Sequence, residues 1–355
     1  MRLWVEQLPD NNKDLWNEWV SSHPDAHFYH LWEWGDVLSA TYNYRRYYFV
    51  AKSAEGIVGV FPLVHIQGRI FESKLVSLPF CEYGGPLLSN SLNSSTSNVV
   101  AKLFVKVASD LARDLRVDYL EIRQPSPSFS TLGFFPIERY LTFRVKLVLG
   151  EAEVWGNINK KCRNAIRKAE KSGVRILDVD IAHVKEYYGL HLDTEKRHGS
   201  PPHSEAFFHN LWRLFNKKGL AKMVLASYEG RPIGGVIVFC FNGRIYWWSN
   251  VTDKKHGGLN PTNFLLWKII QWGTRNNFKI FDLGRTRSET VGIYHFKSSW
   301  GGQPISLKDY IWSAKEITLP DPYQRKYVIL SKIWSKLPSV IAQHVGPRIV
   351  KEIGL

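Results

Sequence analysis

The chain has 355 residues, with 47 Lys and Arg against 32 Asp and Glu and a formal net charge of +15. That length exceeds one ordinary core and implies two domains or one domain built twice. An apolar share of 44% excludes global disorder, and no apolar run reaches the roughly 18 residues a spanning helix needs. Cys81, Cys162 and Cys240 are far apart and in no metal-ligand spacing, which argues against a structural disulfide or zinc site. The first residues, Met1 to Asp10, lack the apolar segment of a secretion signal, so the expected location is cytoplasmic, with the inner face of the membrane as an alternative. The cation excess favours a polyanionic partner: nucleic acid, a phosphate-bearing substrate or an anionic membrane.

In chain order, Leu3 to Pro9 predicts a first strand and Asp14 to Val20 a short helix. Phe28 to Leu38, with Trp34 inside it, predicts an aromatic-rich helix. Tyr47 to Lys52 and Ile57 to His65, joined at Ala54-Glu55-Gly56, predict a hairpin. Lys74 to Leu78 is a further short strand. A loop follows, Pro79-Phe-Cys-Glu-Tyr-Gly-Gly-Pro86, whose glycines permit unusual backbone angles. Ser89 to Asn98 reads as a linker, Val99 to Leu115 as an amphipathic helix, and Asp118 to Arg123 as a strand ended by Gln124-Pro-Ser-Pro.

Asn157 to Gly173 predicts one helix with Gly173 as its stop. Ile158, Cys162, Ala165, Ile166 and Ala169 keep an apolar stripe, and Lys160, Lys161, Arg163, Arg167, Lys168 and Lys171 cover the rest. Like charges at helical spacing repel, so an anion is the expected counterpart, and Arg163 and Arg167 stand one turn apart, able to share a phosphate. Tyr187 to Gly199 predicts a helix carrying His191, Asp193, Glu195 and His198. It has no HExxH-like order, and no metal is expected. Ser204 to Asn216 is a packed helix.

Three strands then follow, Ala221 to Ser227, Pro232 to Cys240 and Ile245 to Asn250. A helix capped by Asn260 and opened by Pro261 comes next, then a strand from Lys279 to Leu283. Asp282 and Arg285 flank Gly284 where that strand gives way to a turn, a place where α/β proteins hold chemistry. Tyr294, His295 and Lys297 precede a Trp-Gly-Gly turn. From Pro322 onward, Tyr323, Tyr327, Leu330, Trp334 and Leu337 recur at helical spacing among cations. This basic amphipathic tail either docks on the body of the protein or lies on an anionic membrane.

The two halves match. Tyr48-Phe-Val-Ala-Lys, Glu55-Gly56 and Ile57-Val-Gly-Val correspond to Met223-Val-Leu-Ala-Ser, Glu229-Gly230 and Ile233-Gly-Gly-Val, about 170 residues on. In each half a helix and an acid-containing strand follow, Tyr119-Leu-Glu-Ile and Ile280-Phe-Asp-Leu. The pattern is an α+β (mixed α/β) fold built twice.

These residues carry a resemblance. Leu78 to Leu87, the basic helix Lys161 to Ala169 with Gly173, Pro232-Ile-Gly-Gly235, Phe281-Asp-Leu-Gly284 and Gly292-Ile-Tyr-His-Phe-Lys297 with Gly301 together resemble the FemAB-like branch of the GNAT acyltransferase superfamily. The resemblance implies two tandem GNAT-like domains, each a largely antiparallel mixed sheet flanked by helices. Residues 1–150 would be the first, binding the acceptor, and 151–320 the second, catalytic; 321–355 would be a basic tail. It also implies transfer of an acyl or aminoacyl group onto an amine of a cell-wall or surface-glycan precursor. The co-substrate would be aminoacyl-tRNA or acyl-CoA, with no resident cofactor. The long helical arm of tRNA-dependent members has no counterpart here, and Lys254 to Pro261 matches the CoA pyrophosphate loop only in part.

Lys297 resembles the family's lysine before the Gly turn, which implies stabilisation of the oxyanion or carbonyl terminus; its other reading is a salt bridge to Asp282 or a solvated charge. Asp282 could accept the amine proton or orient Arg285, and Tyr294 could relay it. Arg163, Arg167 and Lys168 would hold the phosphates of a nucleotide- or lipid-linked acceptor or of tRNA. Trp34, Glu82 and Tyr83 would line the acceptor groove, with core packing as the other fate of the aromatics. The rival classes are an acyl-CoA-dependent N-acyltransferase and a non-catalytic protein that binds a polyanion or membrane surface.

Overall fold

A computed structural model describes residues 2–124, 132–177, 179–315 and 325–354. The Pro-Ser-Pro stop near residue 125 and the tail's Pro322 and Tyr323 lie outside them. The chain forms two compact units, one of Met1–Arg139, Ser306–Leu319 and Val350–Leu355, the other of Tyr140–Ile305 and Pro320–Ile349.

In the first unit, β1 (Trp4–Gln7), β2 (Arg45–Ser53), β3 (Gly56–Ile66), β4 (Lys74–Val76) and β6 (Tyr119–Gln124) are successive neighbours in one sheet, and β5 (Leu87–Leu88) pairs with β3. The late strand β14 (Gln303–Trp312) adds antiparallel to β6 through Lys308 to Trp312. Every pair is antiparallel except β4 with β6. Those two strands run parallel because α3 (Ser94–Asp114) lies between them in sequence and makes the crossover. Val100, Phe104, Ala108 and Ala112, four residues apart, form its buried stripe against Phe61, Leu63, Leu120 and Ile122. Helices α1 (Lys13–Ser22) and α2 (Trp32–Tyr42) complete the unit.

The helix α3 starts five residues before the predicted Val99. The Asn93 side chain accepts the Thr96 N–H at 2.9 Å. The Ser/Asn-rich stretch read as a linker is therefore a cap followed by a first turn.

The end of the chain is fastened into this unit. The Glu352 carboxylate accepts the backbone N–H groups of Arg69 (3.0 Å) and Ile70 (2.8 Å). Tyr44 donates to the Lys351 carbonyl and the Lys74 ammonium to that of Ile353. Burial raises the Glu352 carboxyl, and the backbone donors on Ile70, Arg69 and Phe71 more than reverse it, so it ionises below its ordinary range. Glu352→Ala is expected to lower stability by about 1–2 kcal/mol at neutral pH, with the difference shrinking as acid protonates the carboxylate through its lowered native pKa; thermal melts at both pH values check it.

The second unit runs from the end of β7 (Phe135–Lys146), which pairs with β12 (Ile280–Asp282) and with the short β13 (Thr286–Arg287). The sheet continues through β11 (Arg244–Thr252), β10 (Arg231–Phe241), β9 (Ala221–Tyr228) and β8 (Arg175–Leu177). Here too one pair is parallel, β11 with β12, and the helix between them, α8 (Pro261–Arg275), makes the crossover. The same order of antiparallel strands, helix and returning parallel strand appears in both units, as the internal repeat predicts.

Adjacent Gly234 and Gly235 point to opposite faces of β10. A Cβ on Gly234 would lie 3.0 Å from Pro261 of α8, and one on Gly235 2.9 Å from Tyr187 of α6 (His183–His198). The pair of glycines thus lets a helix settle closely on each face of the sheet. Phe264, Leu265 and Ile269 of α8 pack with Val236 and Val238 around Trp300, which is fully buried.

The predicted helix from Asn157 to Gly173 is two helices, α4 (Glu151–Asn157) and α5 (Lys160–Lys171), because Asn159 leaves helical geometry and its side chain caps α5 at the Lys161 N–H. Helix α7 (Glu205–Phe215) follows as predicted, and the Gly292–Lys297 segment is a helix, α9 (Val291–Ser298). The tail is also two helices, α10 (Arg325–Trp334) and α11 (Ser339–Ile353). It docks on the body. A Cβ on Gly199 would lie 2.2 Å from Ser331, and one on Gly346 2.4 Å from Pro202, so both helices rest on the segment that follows α6. Trp334 is buried, whereas Leu330, predicted on the same stripe, is exposed.

Candidate active site

Strand β12 is short and apolar until its last residue. Asp282 is 1% exposed. Thr142 of β7 donates to its carboxylate at 2.6 Å, the Arg144 guanidinium at 3.1 Å and the Gly284 N–H at 3.0 Å. Gly284 has φ +73°, a conformation that glycine reaches without strain, and it folds the chain back toward Asp282. From α9, the Lys297 ammonium donates to the carbonyls of Gly284 (2.9 Å) and Arg285 (3.0 Å) and lies 5.4 Å from the Trp247 ring centroid. Lys297 is 6% exposed, so it is not the solvated charge of one sequence reading. Asp282 and Lys297 hold the Gly284–Arg285 turn from its two sides.

Beside this turn the sheet opens. Strands β11 and β12 pair from Arg244↔Ile280 to Tyr246↔Asp282, and the ladder stops there among the described residues. Strand β11 runs on to Thr252, held by β10 on its other side. The backbone of Trp247 to Thr252 thus presents an edge at the carboxyl end of a parallel pair, where open α/β sheets take ligands. Helix α6 lines it: Tyr187 donates to Ser249 at 2.8 Å, the Thr252 N–H donates to Thr194 at 3.1 Å, and Arg197 donates to the Thr252 carbonyl at 3.1 Å. The first turn of α8 also reaches it, through Thr262 at 3.1 Å from Asn250.

Helix α6 brings a titratable pair to this wall. His191 is buried and accepts the His203 N–H on Nε2 at 3.1 Å, which puts its proton on Nδ1, 3.8 Å from a Glu195 oxygen. Burial drives His191 well below its ordinary value. Burial also lifts the Glu195 carboxyl to about 7, against a downward pull from Arg197. The sequence reading weighed these two only as metal ligands, and no metal-binding group occurs among the described residues. Nothing in the sequence marks Glu195 as part-buried, because its neighbours Asp193 and Lys196 have the polar look of a solvated face.

The other predicted site residues fall into three places. Tyr294 is half-buried beside Lys297 on α9, its ring 5.2 Å from that of Phe143. Arg285 stacks its guanidinium 4.4 Å from the Tyr140 centroid. Arg144 donates to Asp282 and was not among the residues read from sequence, since β7 has no motif that marks it. On α5, Arg163 donates to the carbonyls of Trp155 (3.1 Å) and Gly156 (2.9 Å), closing the end of α4, and Arg167 lies over the Trp155 ring. Lys160, Lys161, Lys168 and Lys171 face solvent. In the first unit, Trp34 and Tyr83 are wholly buried. Trp34 donates to the Pro79 carbonyl, Tyr83 stacks on His27 at 4.0 Å, and Glu82 accepts from Tyr29. That is the packed-core fate for the two aromatics.

Residues 156–298 match the family described as acetyltransferase (GNAT) domain. No curated protein matches the sequence. Among solved structures, the chain is similar to FemX, with TM-score 0.68 and 13% identity over 86% of this chain and 97% of that one. It is also similar to a tandem GNAT protein from the clavulanic acid biosynthesis pathway, with TM-score 0.57 and 12% identity over 89% and 100%. A third is L-PGS from Bacillus licheniformis, with TM-score 0.57 and 12% identity over 94% and 99%. At these identities the likeness is one of fold, a tandem GNAT arrangement.

Proposed function

Starting from a chain that is a GNAT-type acyltransferase by its domain over residues 156–298, we propose that it joins an acyl or aminoacyl group to an amine of a cell-wall or surface-glycan precursor. The reading rests on one observation above all: an open strand edge, Trp247 to Thr252, lies inside the matched domain, beside a turn tethered by Lys297. In the reaction, the amine nitrogen bonds to the donor carbonyl, the C–O or C–S bond of the ester or thioester breaks, and the amine sheds a proton. The tetrahedral intermediate carries an oxyanion, which fixed N–H donors stabilise. The stretch of β11 beyond its ladder with β12 would supply such donors ahead of Thr252, whose N–H is taken by Thr194, and Lys297 positions the turn beside it.

Of the proton acceptors read from sequence, Asp282 has its oxygens engaged by three donors, which suits it to hold the turn. Glu195, with a carboxyl at about 7, is the better matched base, since a group titrating near the working pH both accepts and releases a proton readily. The exposed lysines of α5 would meet phosphates of the donor or acceptor. The donor is an aminoacyl-tRNA or an acyl-CoA.

The experiment is transfer by the purified full chain from labelled acetyl-CoA or charged tRNA to amine-bearing nucleotide precursors. Lys297→Met is expected to lower turnover by about 10²-fold through displacement of the turn, with the affinity for the phosphate-bearing substrate nearly unchanged. If no donor supports turnover while RNA or phosphate binding persists in both proteins, the non-catalytic reading replaces this one.

A further inference from the structure

The two helices of the tail keep one face on the body and leave another uncovered. The buried side is Trp334 on α10 and Ala342 and Gly346 on α11, set against the Gly199–Pro202 segment. At 100° per residue, Ile329 and Ile333 fall away from Trp334 on α10, and Val340 and Ile341 away from Ala342 and Gly346 on α11, with Leu330 and Val345 on the flanks. All six are exposed, Ile333 at 54% and Val340 at 68%. A helix that only caps a domain ordinarily turns its aliphatic stripe inward and polar groups outward. Here both sides are apolar, and the outer one covers each helix.

The charge of the segment is as one-sided. From Pro322 to Lys351 the sequence has six Lys and Arg and no Asp or Glu. Lys332, Lys336 and Arg348 are exposed beside the outer aliphatics. Among the described residues no helix is long and apolar enough to cross a membrane. We propose that the outer face of α10 and α11 is a docking surface for an anionic lipid bilayer, with the aliphatics in the headgroup boundary and the cations on the lipid phosphates. Branched aliphatics on one side of an interfacial helix, flanked by cations, are what such binding uses: apolar burial supplies the contact and the basic residues select anionic lipid. A second copy of the chain fits less well. A two-fold contact sets a patch against itself and would bring Lys332, Lys336 and Arg348 of both copies together.

The inference is independent of the transfer reaction, because none of these residues belongs to the site around β11 and Lys297. It is tested by co-sedimentation of the full chain with vesicles of phosphatidylcholine alone and vesicles rich in phosphatidylglycerol, at low and high salt. The chain is expected to partition onto the anionic vesicles at least about tenfold more strongly, and to be released by salt. Two triple variants, Ile329→Ser with Ile333→Ser and Val340→Ser, and Lys332→Glu with Lys336→Glu and Arg348→Glu, are each expected to lose that binding while melting at the wild-type temperature, since every substituted side chain is exposed. The charge set keeps the test decisive if the serine set folds poorly. Three results overturn the proposal: no preference for anionic vesicles, unchanged binding by folded variants, or a lipid-free dimer that the serine set dissolves, which would assign the face to a second copy.

Discussion

Replacing Asp282 with alanine is expected to cost the second unit about 3–5 kcal/mol, the largest stability loss we foresee from one side chain in the site. The carboxylate is wholly buried and receives Thr142, Arg144 and the Gly284 N–H. Removing it leaves Thr142 and the Gly284 N–H without their acceptor in a buried place, and takes the counter-charge from Arg144, whose side chain is 25% exposed and turns only in part to water. Asp282→Asn keeps an acceptor for Thr142 or Gly284 but loses the charge facing Arg144, so its loss should fall between wild type and alanine. Urea unfolding followed by tryptophan fluorescence measures both, since Trp247 and Trp300 lie in the affected unit. A loss below about 1 kcal/mol for the alanine variant would mean that the turn is held chiefly by Lys297.

Glu195→Gln is expected to do the opposite and stabilise the protein at alkaline pH. Burial raises the native carboxyl from an ordinary 4.5 to about 7. Below 4.5 it is protonated in both folded and unfolded chains and contributes no difference. Between 4.5 and 7 the unfolded chain ionises first, so stability falls as pH rises, and above 7 the whole cost is present. A shift of that size corresponds to about 3 kcal/mol, an upper figure, because the side chain keeps 24% of its exposure. Glutamine has no charge to bury. The melting temperature of the variant should exceed that of wild type at pH above 7 and meet it near 4.5; parallel curves would show that the carboxyl titrates normally. Transfer activity should move the other way, with turnover lost where stability is gained, which is the signature of a group kept charged for function at the expense of the fold.

Much of the scaffold was legible in the sequence. The helix start at Pro261, the Gly230 hairpin and the paired units follow from local signals whose physics is short-ranged: a fixed φ, a glycine turn, an alternation; Asn260 stands before Pro261 as expected, but its side chain makes no cap bond and donates to the Gly258 carbonyl. The turn at Asp282-Leu-Gly284 was legible as well, because glycine at a strand end after an acid has few other uses. What the sequence concealed depends on distant partners. Arg144 lies in a strand with no marking motif and meets Asp282 only once β7 pairs with β12. Glu195 looks solvated from its neighbours in sequence and becomes a raised carboxyl only under the packing of α6. Arg163 read as a phosphate ligand by its spacing from Arg167, yet its donors go to the last carbonyls of α4, a helix end that cation periodicity does not reveal. Trp34 and Tyr83 were aromatic either way, and only packing decides between a groove and a core.

The fastening of residues 350–354 to Tyr44, Lys74 and the Arg69–Phe71 segment has a consequence for how the protein is made. The first unit begins at the first residue, yet it also takes in Ser306–Leu319 and Val350–Leu355. Strand β6 lacks its β14 neighbour until residues 308–312 have been synthesised, and the Arg69–Phe71 N–H groups lack their carboxylate until residue 352 has been. The second unit likewise waits for a late piece, Pro320–Ile349, so the two units are interleaved along the chain. A chain cut after residue 305 therefore lacks a piece of each unit, Ser306–Leu319 and Val350–Leu355 from the first and Pro320–Ile349 from the second, and both units should be cleaved by proteases faster than in the full chain.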